Sequence, residues 1–256
     1  MVGISGTTVT VNNLGSLTED TTVTIRVKCA ETINYLESLQ DYTITIKALP
    51  YSENLIEYWP LQSNLQSGLN NSTLGTLRVG DGGTPNFTGG GFNIASGGAG
   101  LKSSSNSYTL PNNFTFVMEI YPTALNQGLL FGISTNPRNS DSINSIGLFS
   151  GDQYRIWNGI YGNSYANSDK IKIKSWNRIV VTGNSSGWTV YCNGTNIGSR
   201  TDGRNNLKGT FFIGRCYVNG KMHEYSYDAA INGKIRNCAL YNRVLTSSEI
   251  KSINFE

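Results

Sequence analysis

From Gly187 to Cys192 the chain alternates, with Trp188, Val190 and Cys192 on one side of an extended backbone and Thr189 and Tyr191 on the other. Asn193-Gly194 follows at once, the pair that tolerates the positive φ of a tight hairpin. A two-residue period closed by such a turn commits a segment to a β-hairpin, and related patterns recur along the chain. Residues 114–121 place Phe114, Phe116, Met118 and Ile120 on one face, 128–133 and 145–149 read as neighbouring strands, and 55–61 reads as an opening strand. No window sustains helical periodicity over several turns. Composition agrees, since 29 Gly, 14 Tyr and only 14% charged residues describe short strands joined by polar turns. One short helix is expected near residues 246–253, where Thr246-Ser247-Ser248-Glu249 has capping-box spacing and Ile250 and Ile253 supply an apolar side.

Residues 176–182, which open with Trp176, are followed by 187–194 and later by 233–245. Together they resemble a laminin-G-like domain of the concanavalin-A-like lectin/glucanase superfamily. In that family a strand opening with Trp packs beside a strand that ends in a tyrosine-x-Asp/Asn-Gly turn, here Tyr191 to Gly194. A Gly-x-Ile strand, here from Gly233, a Tyr241-Asn242-Arg243 turn and a short helix close the domain. The resemblance covers residues 54–256. It implies an all-β, concanavalin-A-like jelly-roll sandwich, in a superfamily that hosts lectins, adhesion modules, hydrolases and structural domains.

Residues 1–48 read as a separate small β module. Val9 and Val11, then Val23, Ile25, Val27 and Cys29, then Tyr42, Ile44, Ile46 and Ala48 alternate with polar residues, giving three strands, while 32–39 fits a helical turn or a fourth strand. A module of about 50 residues buries too little surface to stand alone, so its apolar face needs the lectin-like domain or a neighbouring subunit. Residues 49–53, with Pro50, form the linker. Cys29 and Cys192 continue inward-facing series and Cys238 stands where the family has an aliphatic residue, so all four cysteines, Cys216 included, are expected as free thiols.

A formal charge of +3 comes from scattered Lys and Arg without a basic run, which argues against a nucleic-acid partner. No apolar run approaches the roughly 20 residues that span a bilayer, so membrane insertion is not expected. The start, Met1-Val2-Gly3-Ile4-Ser5-Gly6, has no charged, apolar export signal; the chain is either made without one or has lost one. The glycines of residues 80–100 are turn residues, since no Gly-Lys-Ser/Thr follows them. Catalysis is not expected: Glu119 stands alone, no Glu-x-Asp-x-x-Glu run occurs, and His223 lies in a polar loop without a nucleophile motif.

Binding is the general reading. Residues 154–167 combine rings, amides and glycines in a loop of the kind that recognises sugars, and Tyr154, Trp157, Asn158, Tyr161 and Tyr165 are the candidate glycan ligands. Tyr154-Arg155-Ile156-Trp157 also alternates, which would set Trp157 on a strand facing the core. Tyr217, Tyr225, Tyr227 and Asp228 form a second patch. No cofactor or metal is expected, with calcium left open, because Asp81, Asp141, Asp152, Asp169, Asp202 and Asp228 are isolated. Sequons at Asn71, Asn86, Asn113, Asn184 and Asn193 fit chance in so Asn-rich a chain. Two settings follow. One is a non-catalytic accessory protein on a bacteriophage virion surface, a capsid decoration or tail-associated adhesin docked on capsid or tail proteins through residues 1–48. The other is a carbohydrate-binding module of a secreted bacterial enzyme or adhesin, extracellular or on the cell surface.

Overall fold

Strands carry most of the described residues of the computed structural model, which are 2–5, 8–11, 17, 19–29, 38–69, 72–77, 85–94, 100–105, 107–124, 128–134, 143–149, 153–158, 164–167, 171–201, 206–214 and 232–255. The chain divides into two units, Met1–Glu53 with the last three residues, and Asn54–Ile253.

In the first unit, β1 (Val2–Ser5) pairs antiparallel with β2 (Thr8–Val11), setting Val2 opposite Val11 and Ile4 opposite Val9. The second hairpin joins β3 (Thr21–Cys29) to β4 (Ser38–Ile46) through nine consecutive pairs without a bulge. Strand β1 was not foreseen from the sequence. Of the undecided stretch 32–39, Ser38 and Leu39 belong to β4 and the rest lies outside the described residues.

The second unit holds β5 (Leu55–Trp59), β6 (Gly75–Leu77), β7 (Phe92–Ile94), β8 (Gly100–Lys102), β9 (Tyr108–Thr109), β10 (Phe114–Pro122), β11 (Gly128–Ser134) and β12 (Ile143–Phe149). After them come β13 (Gln153–Asn158), β14 (Ser164–Asn167), β15 (Asn177–Asn184), β16 (Gly187–Cys192), β17 (Thr195–Arg200), β18 (Lys208–Ile213), β19 (Gly233–Tyr241) and the helix α1 (Ser247–Ser252). One antiparallel sheet runs β17-β16-β15-β10-β19-β5, with β7 also on β19; the other runs β14-β13-β12-β11-β18-β8-β6, with β9 also on β18. This is the two-layer sandwich. It corrects one reading: β11 and β12 are not neighbours of β10, which pairs with β15 and β19, because the chain crosses to the opposite sheet after β10.

Alternation explains the core. Phe114, Phe116, Met118 and Ile120 from β10 meet Phe131 and Ile133 from β11 and Phe211 and Ile213 from β18, all buried in one cluster. Phe116 stacks on Phe131 with ring centroids 4.5 Å apart, and Phe114 meets Trp188 edge-on at 5.4 Å. Gly183 lies between those two residues in register, and a Cβ there would come within 2.3 Å of the Phe114 ring. After β16 the chain turns through Asn193 at φ 49° and Gly194 at φ 79°, the turn its sequence encodes.

The closing helix is held at both ends. Thr246 and Glu249 form the full capping box, and the Arg243 guanidinium donates two bonds of 2.8 Å to the Glu249 carboxylate. Thr115 on β10 secures the approach, its hydroxyl donating to the Arg243 carbonyl and accepting from the Leu245 amide. At the other end Arg178 of β15 donates to the carbonyls of Lys251 and Ile253. Ile250 and Ile253 are buried beneath.

Candidate functional site

Register fixes which residues of the β14-β13-β12-β11 sheet share the core face. Phe131 and Ile133 are core residues, Phe131 stands opposite Ile146, and Ile146 opposite Ile156. Cross-strand partners lie on the same face of a sheet and successive residues on opposite faces. By register the other face therefore carries the row Phe212, Gly132, Ser145 and Trp157, each opposite the next, of which Phe212 and Gly132 are buried. A second outer row runs Leu129, Gly147, Arg155 and Tyr165.

The stretch from Tyr154 to Asn167, read as a loop, is thus corrected to a strand pair at the sheet edge, β13 with β14; the alternation of Tyr154-Arg155-Ile156-Trp157 prevails over its polar, Gly-rich composition. Trp157 stands opposite Ser145 and Tyr165 opposite Arg155, in register rows other than that of Phe131. Tyr154, opposite Leu148, and Asn158, opposite Asn144, hold the face shared with Phe131. Tyr161 lies outside the described residues. Arg155 joins the outer rows although its sequence context did not single it out; the signal was its place one residue from Trp157 in an alternating run. Chemically, the outer face sets two aromatic positions and a guanidinium position beside a strip of small residues, Gly132, Ser145 and Gly147. Rings of this kind suit the apolar face of a sugar, and at the β18 end of the row Phe212 and Gly132 are buried.

A family description, the concanavalin A-like lectin/glucanases superfamily, matches residues 95–251, more than half of the chain. The chain belongs to that superfamily. Among solved structures, this lectin/glucanase-type chain is similar to domain 4 of an extracellular arabinanase from Geobacillus stearothermophilus, in complex with arabinotriose. The TM-score is 0.52 at 17% identity, covering 78% of this chain and 98% of that domain. It is also similar to a sialidase from Trypanosoma rangeli in complex with 2,3-difluorosialic acid, at TM-score 0.54 and 17% identity, covering 80% of this chain. The match spans only 33% of the sialidase. At such identity these likenesses concern the sandwich fold, and no curated protein matches the sequence.

Several described polar groups of this superfamily member are engaged in its framework. Glu119 lies on the face of β10 opposite the core residues; Arg236 Nε approaches its Oε2 to 2.6 Å and Asn237 Nδ2 donates to the same oxygen at 2.9 Å. Arg236 also stacks 4.2 Å over the Trp176 ring, and Trp176 meets Tyr121 edge-on. Asn237, at φ 49° beside the bulge in the β10 to β19 pairing, accepts from the Tyr58 hydroxyl at 2.9 Å. Burial, reinforced by the Glu119 charge, raises the Tyr58 phenol above its ordinary range. The buried Glu57 accepts from the Ser72 hydroxyl at 2.8 Å and lies on the core face of β5, whereas Glu119 lies on the outer face of β10.

Among the described residues no three His, Cys, Asp or Glu side chains gather as a metal site. The six aspartates considered for calcium, together with His223 and the patch of Tyr217, Tyr225, Tyr227 and Asp228, lie outside the described residues. Cys192 and Cys238 are buried thiols outside any disulfide. Burial pushes the Cys192 thiol up to about 11 and, with the nearby Glu119 charge, raises Cys238 further. Nothing is described of the Cys29 side chain or of Cys216. No described helix is long and apolar enough to cross a membrane.

Proposed function

We propose that this chain is a non-catalytic, carbohydrate-binding surface protein that takes glycans on the outer face of its β14-β13-β12-β11 sheet. The observation that supports the reading is the register that puts Trp157, and Arg155 with Tyr165, in two rows on one face of the edge strands, beside Ser145 and Gly147. In this reading Trp157 stacks on a pyranose or furanose ring, Tyr165 bounds the next subsite, and Arg155 donates to hydroxyls or to a sugar carboxylate. Arabino-oligosaccharides and sialylated glycans are the first ligands to try, since the similar arabinanase domain is in complex with arabinotriose and the sialidase, a third of which this fold matches, with a sialic acid derivative.

Two carriers fit such a module. One is a virion surface, with residues 1–48 docked on capsid or tail proteins; the other is a secreted bacterial enzyme or adhesin, and a fold match covering 98% of one arabinanase domain favours keeping it. Mass spectrometry of whole virions against that of culture supernatant separates the two.

A glycan array followed by calorimetry tests the binding reading. Trp157→Ala and Tyr165→Ala should each weaken the best ligand about tenfold or more while leaving Tm nearly unchanged, as expected for rings that stack on a ligand. Tyr154→Ala, on the core face, should lower Tm instead. A wild type that binds no glycan, or a Trp157→Ala Tyr165→Ala double variant that binds normally, refutes it.

A further inference from the structure

Lysines scattered through the sequence are gathered by the fold at one end of the sheet that holds β16, β15, β10 and β19. Tyr121, two residues beyond Glu119 on the outer face of β10, stands opposite Lys234 of β19, whose Nζ lies 5.3 Å over its ring. Lys174 reaches the same corner, because its amide donates to the Pro122 carbonyl at 2.7 Å. Asn177, 0% exposed, fixes the rest of that loop: its Oδ1 accepts from the Lys172 amide and its Nδ2 donates to the Lys172 and Ser175 carbonyls, each at 2.8 Å. Asn193 Nδ2 donates to the same Oδ1 at 3.4 Å, and a Cβ on the next residue, Gly194, would come within 2.9 Å of the Lys251 side chain. Bonds and packing thus join Lys251, Lys172, Lys174 and Lys234 into one band.

This charge is not balanced among the described residues of the second unit. Their carboxylates are Glu57, on the core face of β5, and Glu119 and Glu249, which are paired with Arg236 and Arg243. Lys172, Lys174 and Lys251 are exposed, and the described hydrogen bond of the Lys234 side chain is a 3.5 Å contact with the Gly89 carbonyl. The band crosses four strands, about 14 Å between the outer two at about 4.8 Å per spacing.

We propose that this band is a second binding surface, for an acidic polysaccharide whose carboxylates or sulfates bridge the lysines. Charge complementarity selects a polyanion, and the form of the band selects its kind. A nucleic acid gains affinity by stacking bases on aromatic faces, but here the Trp176 face carries Arg236 at 4.2 Å and the Tyr121 face carries Lys234. A membrane anchor needs an apolar face to bury, whereas Ile173, 46% exposed between Lys172 and Lys174, is the exposed large hydrophobic residue of this loop. A linear chain of acidic sugars needs neither; it is held by ion pairs and by bonds to its hydroxyls. The surface lies on the sheet opposite the one that carries Trp157, so the two act independently.

Calorimetry on the full chain with polygalacturonate and dextran sulfate, and with neutral dextran as control, tests this. The acidic polymers should bind, and the affinity should fall about tenfold or more between about 0.05 and 0.5 M salt. A Lys174→Gln Lys234→Gln variant should weaken binding about tenfold or more with Tm nearly unchanged, while Lys208→Gln, on the other sheet, should leave it in place. The Trp157→Ala Tyr165→Ala variant should also bind the acidic polymers normally. A wild type that binds neither polymer, or binds dextran equally well, overturns the proposal, as does binding that survives the double Lys variant. Loss of binding in the Trp157→Ala Tyr165→Ala variant overturns it too, since the acidic chain would then lie on the other sheet. Tighter binding to phosphatidylglycerol vesicles or to single-stranded DNA would give the band to a lipid surface or a nucleic acid instead.

Discussion

Asn237 is a residue at which a single change should strain the sandwich in two ways, through its backbone and through its amide. It sits at φ 49°, a left-handed conformation that Asn accepts more readily than other side chains bearing a Cβ, and is 1% exposed. Its amide joins three strands, donating to Glu119 of β10 at 2.9 Å and accepting from Tyr58 of β5 at 2.9 Å, while its own backbone N–H donates to the Pro60 carbonyl. In Asn237→Ala the bond to the ionised Glu119 accounts for about 1.5–3 kcal/mol and the Tyr58 bond for about 0.5–1.5. Placing Ala in the left-handed region costs about 1 kcal/mol more. The expected destabilisation is about 3–5 kcal/mol, or roughly 10 °C in Tm for a unit of this size. Asn237→Gly relieves the backbone part and should cost about 1 kcal/mol less than Ala. Asn237→Asp keeps an acceptor for Tyr58 but removes the donor and sets a second carboxylate beside Glu119, so it should be at least as damaging as Ala at pH 7. Urea unfolding followed by tryptophan fluorescence measures all three. An Ala variant within about 0.5 kcal/mol of wild type, or a Gly variant less stable than Ala, would refute the reasoning.

Two further outcomes follow from the buried and capped groups. Arg243, with the Thr246 backbone second, holds the Glu249 carboxyl down at about 2 against 4.5 for the free group. Because the folded value is the lower one, its stabilisation is present above about pH 4.5 and is lost as pH falls towards 2; Glu249→Gln should therefore lose less Tm between pH 5 and 2 than wild type, and an equal loss would count against the capping network. Cys238→Ser should destabilise by about 1–3 kcal/mol, since a hydroxyl would enter an apolar layer. Neither Cys192 nor Cys238 should react with a thiol reagent at pH 8 until the protein unfolds, as mass spectrometry after labelling would reveal.

Several local features were legible in the chain itself. The alternation of Phe114, Phe116, Met118 and Ile120, the Asn193-Gly194 turn and the Thr246 to Glu249 cap each depend on residues within one strand, turn or helix, so their physics is complete in a short window. Two-residue periodicity states that a strand has two faces, but not which strand lies beside it. Hence β11 and β12 were set next to β10, although they belong to the opposing sheet. The same limit hid the partners of Glu119, since Arg236 and Asn237 stand 117 and 118 residues further along the chain and meet it only through the register of β10 with β19. For the candidate site, composition marked the segment around Trp157, but sugar-like composition cannot separate a loop from an edge strand. The register that sets Trp157 and Tyr165 in rows with Arg155 follows only from a chain of pairings that starts at Phe131 in the core and passes through β12. Hydrophobic patterning is local and survives in the sequence, whereas register is a sum of contacts between distant segments and exists only once they are packed.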